Sequence, residues 1–272
     1  MQQKLIVTDI DGTLLNSSKQ LLPETQETID LLFEKGHQFA LATGRMHAAA
    51  KIVGSKLDYD GFLISCNGAV VKHLKTNEKI FEVPLEEDWI IRIVEKCRSY
   101  HAYFHLYNEE VIFAEERKHL SQMYADLMPS LPEQVRFEVR FSDDVLEDSK
   151  GYAIHKIGVF HEDPQIFQEL IAYFEGLDAI DSCKSLDTSF DIMAKGVTKA
   201  TGVAALSKHL RIPKECIIAL GDNENDMAML AYAGTGVAMG NAEDKVKKVA
   251  DQVTGSNDET GWADAVTLFL EK

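Results

Sequence analysis

LIVTDIDGTL, residues 5–14, sets an apolar run directly against two carboxylates, Asp9 and Asp11, followed at once by a glycine. A short continuous apolar run reads as a strand covered on both faces, as in a parallel sheet. The next stretch, PETQETIDLLFEKG (23–36), has Pro23 and Glu24 at a helix start and Gly36 just past its end. Between them Ile29, Leu32 and Phe33 recur at helical spacing. QFALAT (38–43) follows as a second apolar strand, MHAAAKIVGSKL (46–57) as a helix and GFLISC (61–66) as a third strand. Strand, helix, strand, helix, strand implies parallel pairing through right-handed crossovers, the doubly wound α/β plan.

The alternation then stops. AVVKHLKTNEKIFEV (69–83) reads as a hairpin around Thr76 and Asn77. Beyond Pro84 come a helix in EEDWIIRIVEKCRSY, aromatic alternating strands in AYFHLY and EVIFAE, and further strand and helix patterns through YAIHKIGVF and QIFQELIAYFEG. This mixed order predicts an α+β module. After SFDIMA the simple alternation returns, with a helix in TKATGVAALSKHL, a strand in CIIALG and helices in NDMAMLAYAG and GWADAVTLFLEK. The expected division is a core of residues 1–83 and 188–272, interrupted by an inserted domain of residues 84–187, both of ordinary domain size.

The formal net charge of −16 argues against a broad nucleic-acid or anionic-membrane surface, which a polyanion would leave. It leaves room for a small phosphorylated ligand, because a local lysine and aligned amides outweigh a mean field. No apolar run reaches the ~18 residues that cross a bilayer. The four cysteines, Cys66, Cys97, Cys183 and Cys216, are scattered without a CxxC pair and read as reduced thiols. A cytoplasmic protein is the expectation.

In an open α/β sheet, ligands sit beyond the carboxyl ends of the strands. There the first strand carries Asp9, Asp11, Gly12 and Thr13; the second carries Thr43, Gly44 and Arg45; the third carries Asn67 and Gly68; CIIALG carries Asp222, Asn225 and Asp226. Lys199 lies in the first turn of the helix after KGVT, with Lys195 nearby. All belong to the expected core. Strand side chains two apart project to one side, so Asp9 and Asp11 can face one small volume. Gly12 permits a backbone that a side chain would hinder. Crowded carboxylates repel unless a cation lies between them or one holds a proton. With Asp222 as a further oxygen donor, Mg²⁺ suits the set better than Zn²⁺, which prefers His and Cys. Such a site with a lysine and a hydroxyl is what phosphoryl transfer needs: a carboxylate serves as nucleophile and a second one as general acid and base.

DIDGTL, ATGR, KGVTK and GDNEND, in this order, resemble the four motifs of the haloacid dehalogenase superfamily, and the long insertion with NGA (67–69) resembles its Cof-type, subclass IIB branch. The resemblance implies a Rossmann-like core with a parallel sheet and an inserted α+β cap of type C2B. It implies Asp9 as nucleophile and Mg²⁺ ligand, Asp11 as general acid/base and metal-holding residue, and Asp222 as completing the metal site. Ile10, Thr43, Gly44, Lys199 and Asn225 would bind the phosphate, with Gly12, Asn67 and Asp226 supporting. Ala200 stands where related sequences often have glycine. An aspartate at position 11 argues for phosphate esters over carbon–halogen bonds. The expected function is a Mg²⁺-dependent phosphatase of small phosphorylated metabolites working through an aspartyl-phosphate. A sugar-phosphate phosphomutase and a non-enzymatic phospho-aspartate switch are the alternatives. His101 and His105 read as structural, and GTGVAMG (234–240) as a short strand with turns, since it lacks GxGxxG spacing.

Overall fold

The structure, a computed structural model, describes residues 2–57, 60–186 and 188–271. In chain order the elements begin β1 (Leu5–Thr8), α1 (Pro23–Glu34), β2 (Gln38–Ala42), α2 (His47–Leu57), β3 (Phe62–Ser65), β4 (Val70–His73) and β5 (Lys79–Glu82). They continue with α3 (Glu87–Ser99), β6 (Tyr103–Tyr107), β7 (Val111–Ala114), α4 (His119–Leu127), β8 (Glu138–Phe141), α5 (Val145–Asp148), β9 (Lys156–Phe160), α6 (Pro164–Glu175), β10 (Ile180–Leu186) and β11 (Ser189–Ala194). The last are α7 (Lys199–Leu210), β12 (Ile217–Gly221), α8 (Met227–Tyr232), β13 (Thr235–Ala238), α9 (Asp244–Lys247), β14 (Gln252–Val253) and α10 (Gly261–Glu271).

The chain divides into two compact units, one of residues 1–44, 57–81 and 198–272, the other of residues 45–56 and 82–197. In the first unit the strand order is β14-β13-β12-β1-β2-β3-β4-β5. The apolar run 5–8 lies at its centre, parallel to β2 on one side and to β12 on the other, with Thr8 in register with Leu41 and Leu220. Successive strands run outward from β1 through β2 and β3, and from β12 through β13 and β14. The order therefore reverses between β1 and β12, which is the switch point where such sheets bind ligands.

Both faces of this sheet are covered, which is why β1 has no polar alternation. Leu5, Val7, Ala40 and Ala42 pack with Val203 and Leu206 of α7 and Met229 and Leu230 of α8. On the other face Phe39 meets Trp262 of α10 edge-on at 6.0 Å. The buried Trp262 indole donates to Thr8 Oγ1 at 2.9 Å, so the one polar side chain of β1 is satisfied.

The second unit has a six-stranded sheet of order β10-β11-β9-β6-β7-β8. Phe104, Leu106, Ile157, Val159, Phe190 and Ile192 form its apolar face, covered by Ile93 of α3 and by Phe167, Leu170 and Phe174 of α6. β11 pairs with β10 and β9, so SFDIMA belongs to this sheet; the domain end expected at residue 187 lies outside the described residues. His105 is buried in this sheet with Nε2 2.7 Å from the Tyr107 hydroxyl, and His101 occupies a turn with φ +51°.

Candidate active site

The Asp9 amide donates to the Leu220 carbonyl at 3.0 Å, which carries the β1–β12 pairing one step past the strand. The chain then folds back on itself: Leu14 N–H donates to the Asp9 carbonyl and Leu15 N–H to that of Ile10. Gly12 turns this loop at φ +87°, and a Cβ there would stand 2.4 Å from Asp222 Oδ2. The glycine expected for backbone freedom is therefore required also for room, because the carboxylate arriving from β12 occupies its side-chain space. Thr13 Oγ1 donates to Asp222 Oδ1 at 2.7 Å and orients that carboxylate.

After β3 the backbone is tight. Cys66, Asn67 and Gly68 have φ of +50°, +54° and +102° in succession. A non-glycine residue such as Cys66 enters this region only under constraint from its surroundings. The constraint is visible at Gly68, where a Cβ would lie 1.9 Å from the Thr198 carbonyl oxygen. This close approach brings the start of α7 against the β3 loop although Ala200 replaces the glycine often found after the lysine. Asn67 then accepts from Asn225 Nδ2 at 3.0 Å, and its amide donates to the Thr43 carbonyl. Gly44 lies beside it, its Cβ position 2.8 Å from Asn67 Oδ1.

Lys199 is fully buried, with Nζ 2.6 Å from Asp9 Oδ1 and 2.6 Å from Asp226 Oδ1. Asp226, also fully buried, accepts from the amides of Asp222 and Asn223 on its second oxygen, each at 2.9 Å. Both Asp226 oxygens are thus engaged in holding Lys199 and the turn that carries Asp222. The carboxylates of Asp9, Asp222 and Asp226 come within 4.8 Å of one another. Asp11 is placed differently: its carboxylate accepts from the exposed Lys19 ammonium at 2.9 Å and is not in that carboxylate group.

The electrostatics follow from burial. It pushes the Asp9 carboxyl up to about 8, Lys199 opposing and Asp226 and Asp222 adding to the rise. It pushes Asp222 up to about 6, against the Thr13 hydrogen bond. Burial alone would lower the Lys199 ammonium, but the carboxylates of Asp226 and Asp9 outweigh it and hold the pKa raised. Three carboxylates around one ammonium leave excess negative charge in a low-dielectric pocket, so the site is built to take a proton or a hard cation. All its donors are oxygens, which fits Mg²⁺.

The sequence-read residues Asp9, Gly12, Lys199, Asp222 and Asp226 meet in one cluster, with Asn67, Gly44 and Asn225 in mutual contact; Arg45 falls in the second unit. Sequence reasoning gave no role to Lys19, Asn241 or Asn257. Asn241 Nδ2 donates to the Gly12 carbonyl at 2.8 Å and Asn257 Nδ2 to that of Leu15 at 2.9 Å. The only signal for Asn241 was its position just after GTGVAMG.

The haloacid dehalogenase-like hydrolase profile matches residues 6–266. A 5-amino-6-(5-phospho-D-ribitylamino)uracil phosphatase, YitU of Bacillus subtilis (strain 168), is 30% identical over 271 residues, covering 95% of this chain and 94% of that protein. The pyridoxal phosphate phosphatase YbhA of Escherichia coli (strain K12) is 28% identical, covering 99% of this chain and 98% of that protein. A haloacid dehalogenase-like hydrolase from Bacteroides thetaiotaomicron superposes with a TM-score of 0.85 at 29% identity, covering 98% of this chain and 99% of that one. With a profile match along nearly its whole length and the motif residues gathered at the switch point, the chain belongs to the haloacid dehalogenase-like hydrolases.

Proposed function

We propose that the protein is a Mg²⁺-dependent phosphatase of small phosphorylated metabolites, working through an aspartyl-phosphate on Asp9. The observation that carries this reading is the grip of buried Lys199 on Asp9 Oδ1 at 2.6 Å, beside Asp222. The ammonium fixes the Asp9 side chain through one oxygen and leaves the other without a protein hydrogen bond among the described residues, as a nucleophile needs. Asp9 and Asp222 would hold the metal, with Asp11 in the part the family resemblance gives it. When bound, the ion neutralises carboxylate and phosphate charge so that an anionic oxygen can approach an anionic phosphorus.

The chain's own residues then divide the work. Thr43, the Gly44 and Ile10 backbone, Lys199 and Asn225 bind the phosphoryl oxygens. Asp9 attacks phosphorus; the ester oxygen leaves with its bonding pair and takes a proton from Asp11. Asp11, now a carboxylate, takes a proton from water, whose oxygen attacks the acyl phosphate and returns Asp9 with release of inorganic phosphate. Asp226 takes no part in the bond changes; it holds Lys199. The chemistry is assigned to the first unit and the choice of substrate to the second. The names of the relatives, a ribitylaminouracil phosphate phosphatase and a pyridoxal phosphate phosphatase, support small phosphomonoesters as substrates. The four scattered cysteines, which lack a CxxC pair and read as reduced thiols, support a cytoplasmic setting.

The test is phosphate release from a panel of phosphomonoesters with and without Mg²⁺, alongside Asp9→Asn. Release that needs the metal and is abolished in a folded Asp9→Asn variant is expected. Near-normal turnover by that variant refutes the mechanism, and isomerised sugar phosphate without inorganic phosphate makes the protein a mutase.

A further inference from the structure

Besides the Thr13–Asp222 hydrogen bond, the loop that follows β1 is held from outside at three further points along its length. Asn241 Nδ2 donates to the Gly12 carbonyl at 2.8 Å. The buried Asn257 donates from Nδ2 to the Leu15 carbonyl at 2.9 Å. Asp258 accepts from the Ser17 amide and hydroxyl at 2.8 and 2.7 Å. The two asparagines are themselves joined, since Asn257 N–H donates to Asn241 Oδ1 at 3.0 Å, and Gly240 N–H donates to the Gly255 carbonyl at 2.8 Å to bring their segments together.

The amide orientations are unambiguous. A backbone N–H can only donate and a carbonyl can only accept, so Asn241 must present oxygen to Asn257 and nitrogen to Gly12. The clamped carbonyl is that of the residue after Asp11, in the turn whose φ is +87° and whose Cα faces the Asp222 carboxylate. A shift of the Gly12 peptide in this short, self-bonded turn moves Asp11 directly. Asp9 is anchored separately, by its amide on Leu220 and its carboxylate on Lys199.

We infer that Asn241 and Asn257 are positioning residues that hold the Gly12 and Leu15 carbonyls so that Asp11 is presented as the acid for the leaving group. This rests on the phosphatase reading above. The consequence is selective: a misplaced acid hurts departure of a basic alkoxide and barely matters for a leaving group that departs as a stable anion.

The experiment compares kcat/KM for glycerol phosphate and for 4-nitrophenyl phosphate at saturating Mg²⁺ in wild type, Asn241→Ala, Asn241→Asp and Asn257→Ala. kcat/KM reports steps up to the first irreversible one, so breakdown of the acyl phosphate does not mask the effect. Loss of about tenfold or more on the alkyl ester, with less than about threefold on the aryl ester, is expected, within the range of general-acid contributions. Asn241→Asp keeps the size and the acceptor for Asn257 but loses the donor to Gly12, so it should behave as Asn241→Ala does. Asn241 is exposed, so its variants should fold, which thermal unfolding checks if Asn257→Ala does not. Equal losses on both esters, no loss, or full rescue by Asn241→Asp overturns the proposal. A wild-type protein inert on both esters and on every member of the phosphomonoester panel overturns the phosphatase reading itself, and with it any catalytic role for the clamp; if only other panel members are hydrolysed, the best alkyl and aryl esters among them replace the two.

Discussion

Replacing Lys199 by methionine removes a charge from the least accessible point of the site while nearly preserving volume. The ammonium is 0% exposed and lies 2.6 Å from one oxygen each of Asp9 and Asp226. At an effective dielectric of about 20, one such contact is worth roughly 6 kcal/mol of gross attraction, and desolvation of the buried ions offsets much of it. Removing one partner from a buried ion pair typically costs about 3–5 kcal/mol, because the remaining charge stays buried without compensation. Asp226 retains its two amide donors, which favours the lower half of that range. For a chain of this size each kcal/mol moves the melting temperature by about 2–4 °C, so a fall of roughly 10 °C is expected.

The pH dependence gives the sharper test. In the metal-free protein Asp9 is raised from 3.8 to about 8. The native state keeps a proton there that the unfolded chain releases near pH 4. This contribution to stability is therefore complete below pH 4 and is lost as pH rises toward and through 8. Without Lys199 the ionised Asp9 loses its main stabiliser, so the deficit relative to wild type should widen between pH 5.5 and pH 8.5. Urea unfolding of both proteins in chelator, followed by circular dichroism at the two pH values, measures it. A deficit below about 1 kcal/mol at pH 8.5, or one that does not grow with pH, refutes the account of Lys199 as the charge that stabilises this cluster.

Gly12→Ala should cut turnover at least about tenfold and stability by about 1–3 kcal/mol, since its Cβ would meet Asp222 Oδ2 at 2.4 Å. Gly36→Ala, at φ +75° with nothing within 4 Å, is the control, with a stability cost of about 1 kcal/mol and unchanged activity by the same assays. Trp262→Phe should cost about 1–2 kcal/mol in urea unfolding, because it leaves the Thr8 hydroxyl without its indole donor. In the second unit burial, with Lys156 and His119 adding, lowers His105 to about 3. The unfolded chain protonates near 6.5 and the native state does not, so stability present above pH 6.5 is lost as pH falls toward 3; urea unfolding of His105→Phe at pH 7, 5 and 4 should show a shallower acid loss than wild type.

How much of this was legible in the sequence depended on the range over which each signal acts. The run 5–8 could be read as a two-sided strand because burial on both faces removes polar alternation locally, and the paired carboxylates could be placed at its end because strand geometry fixes where it points. β11 was harder: its sheet is decided by pairing with β10 and β9, and the residues 189–194 look alike whichever sheet receives them. The same limit applies at the site. Spacing singled out Lys199 and Asp226 separately, but only the tertiary structure shows that they hold each other, which commits Asp226 to the lysine and two amides and leaves Asp9 and Asp222 as the pair proposed to hold the cation. Lys19 on Asp11 and Asn241 on Gly12 were out of reach for a further reason. An exposed lysine and an asparagine after a glycine are ordinary surface chemistry in sequence, and a backbone carbonyl as partner leaves no trace in the residue that owns it. What a sequence carries poorly is therefore the support around a candidate catalytic residue, and in this chain residues 241–258 brace the loop that carries Asp11.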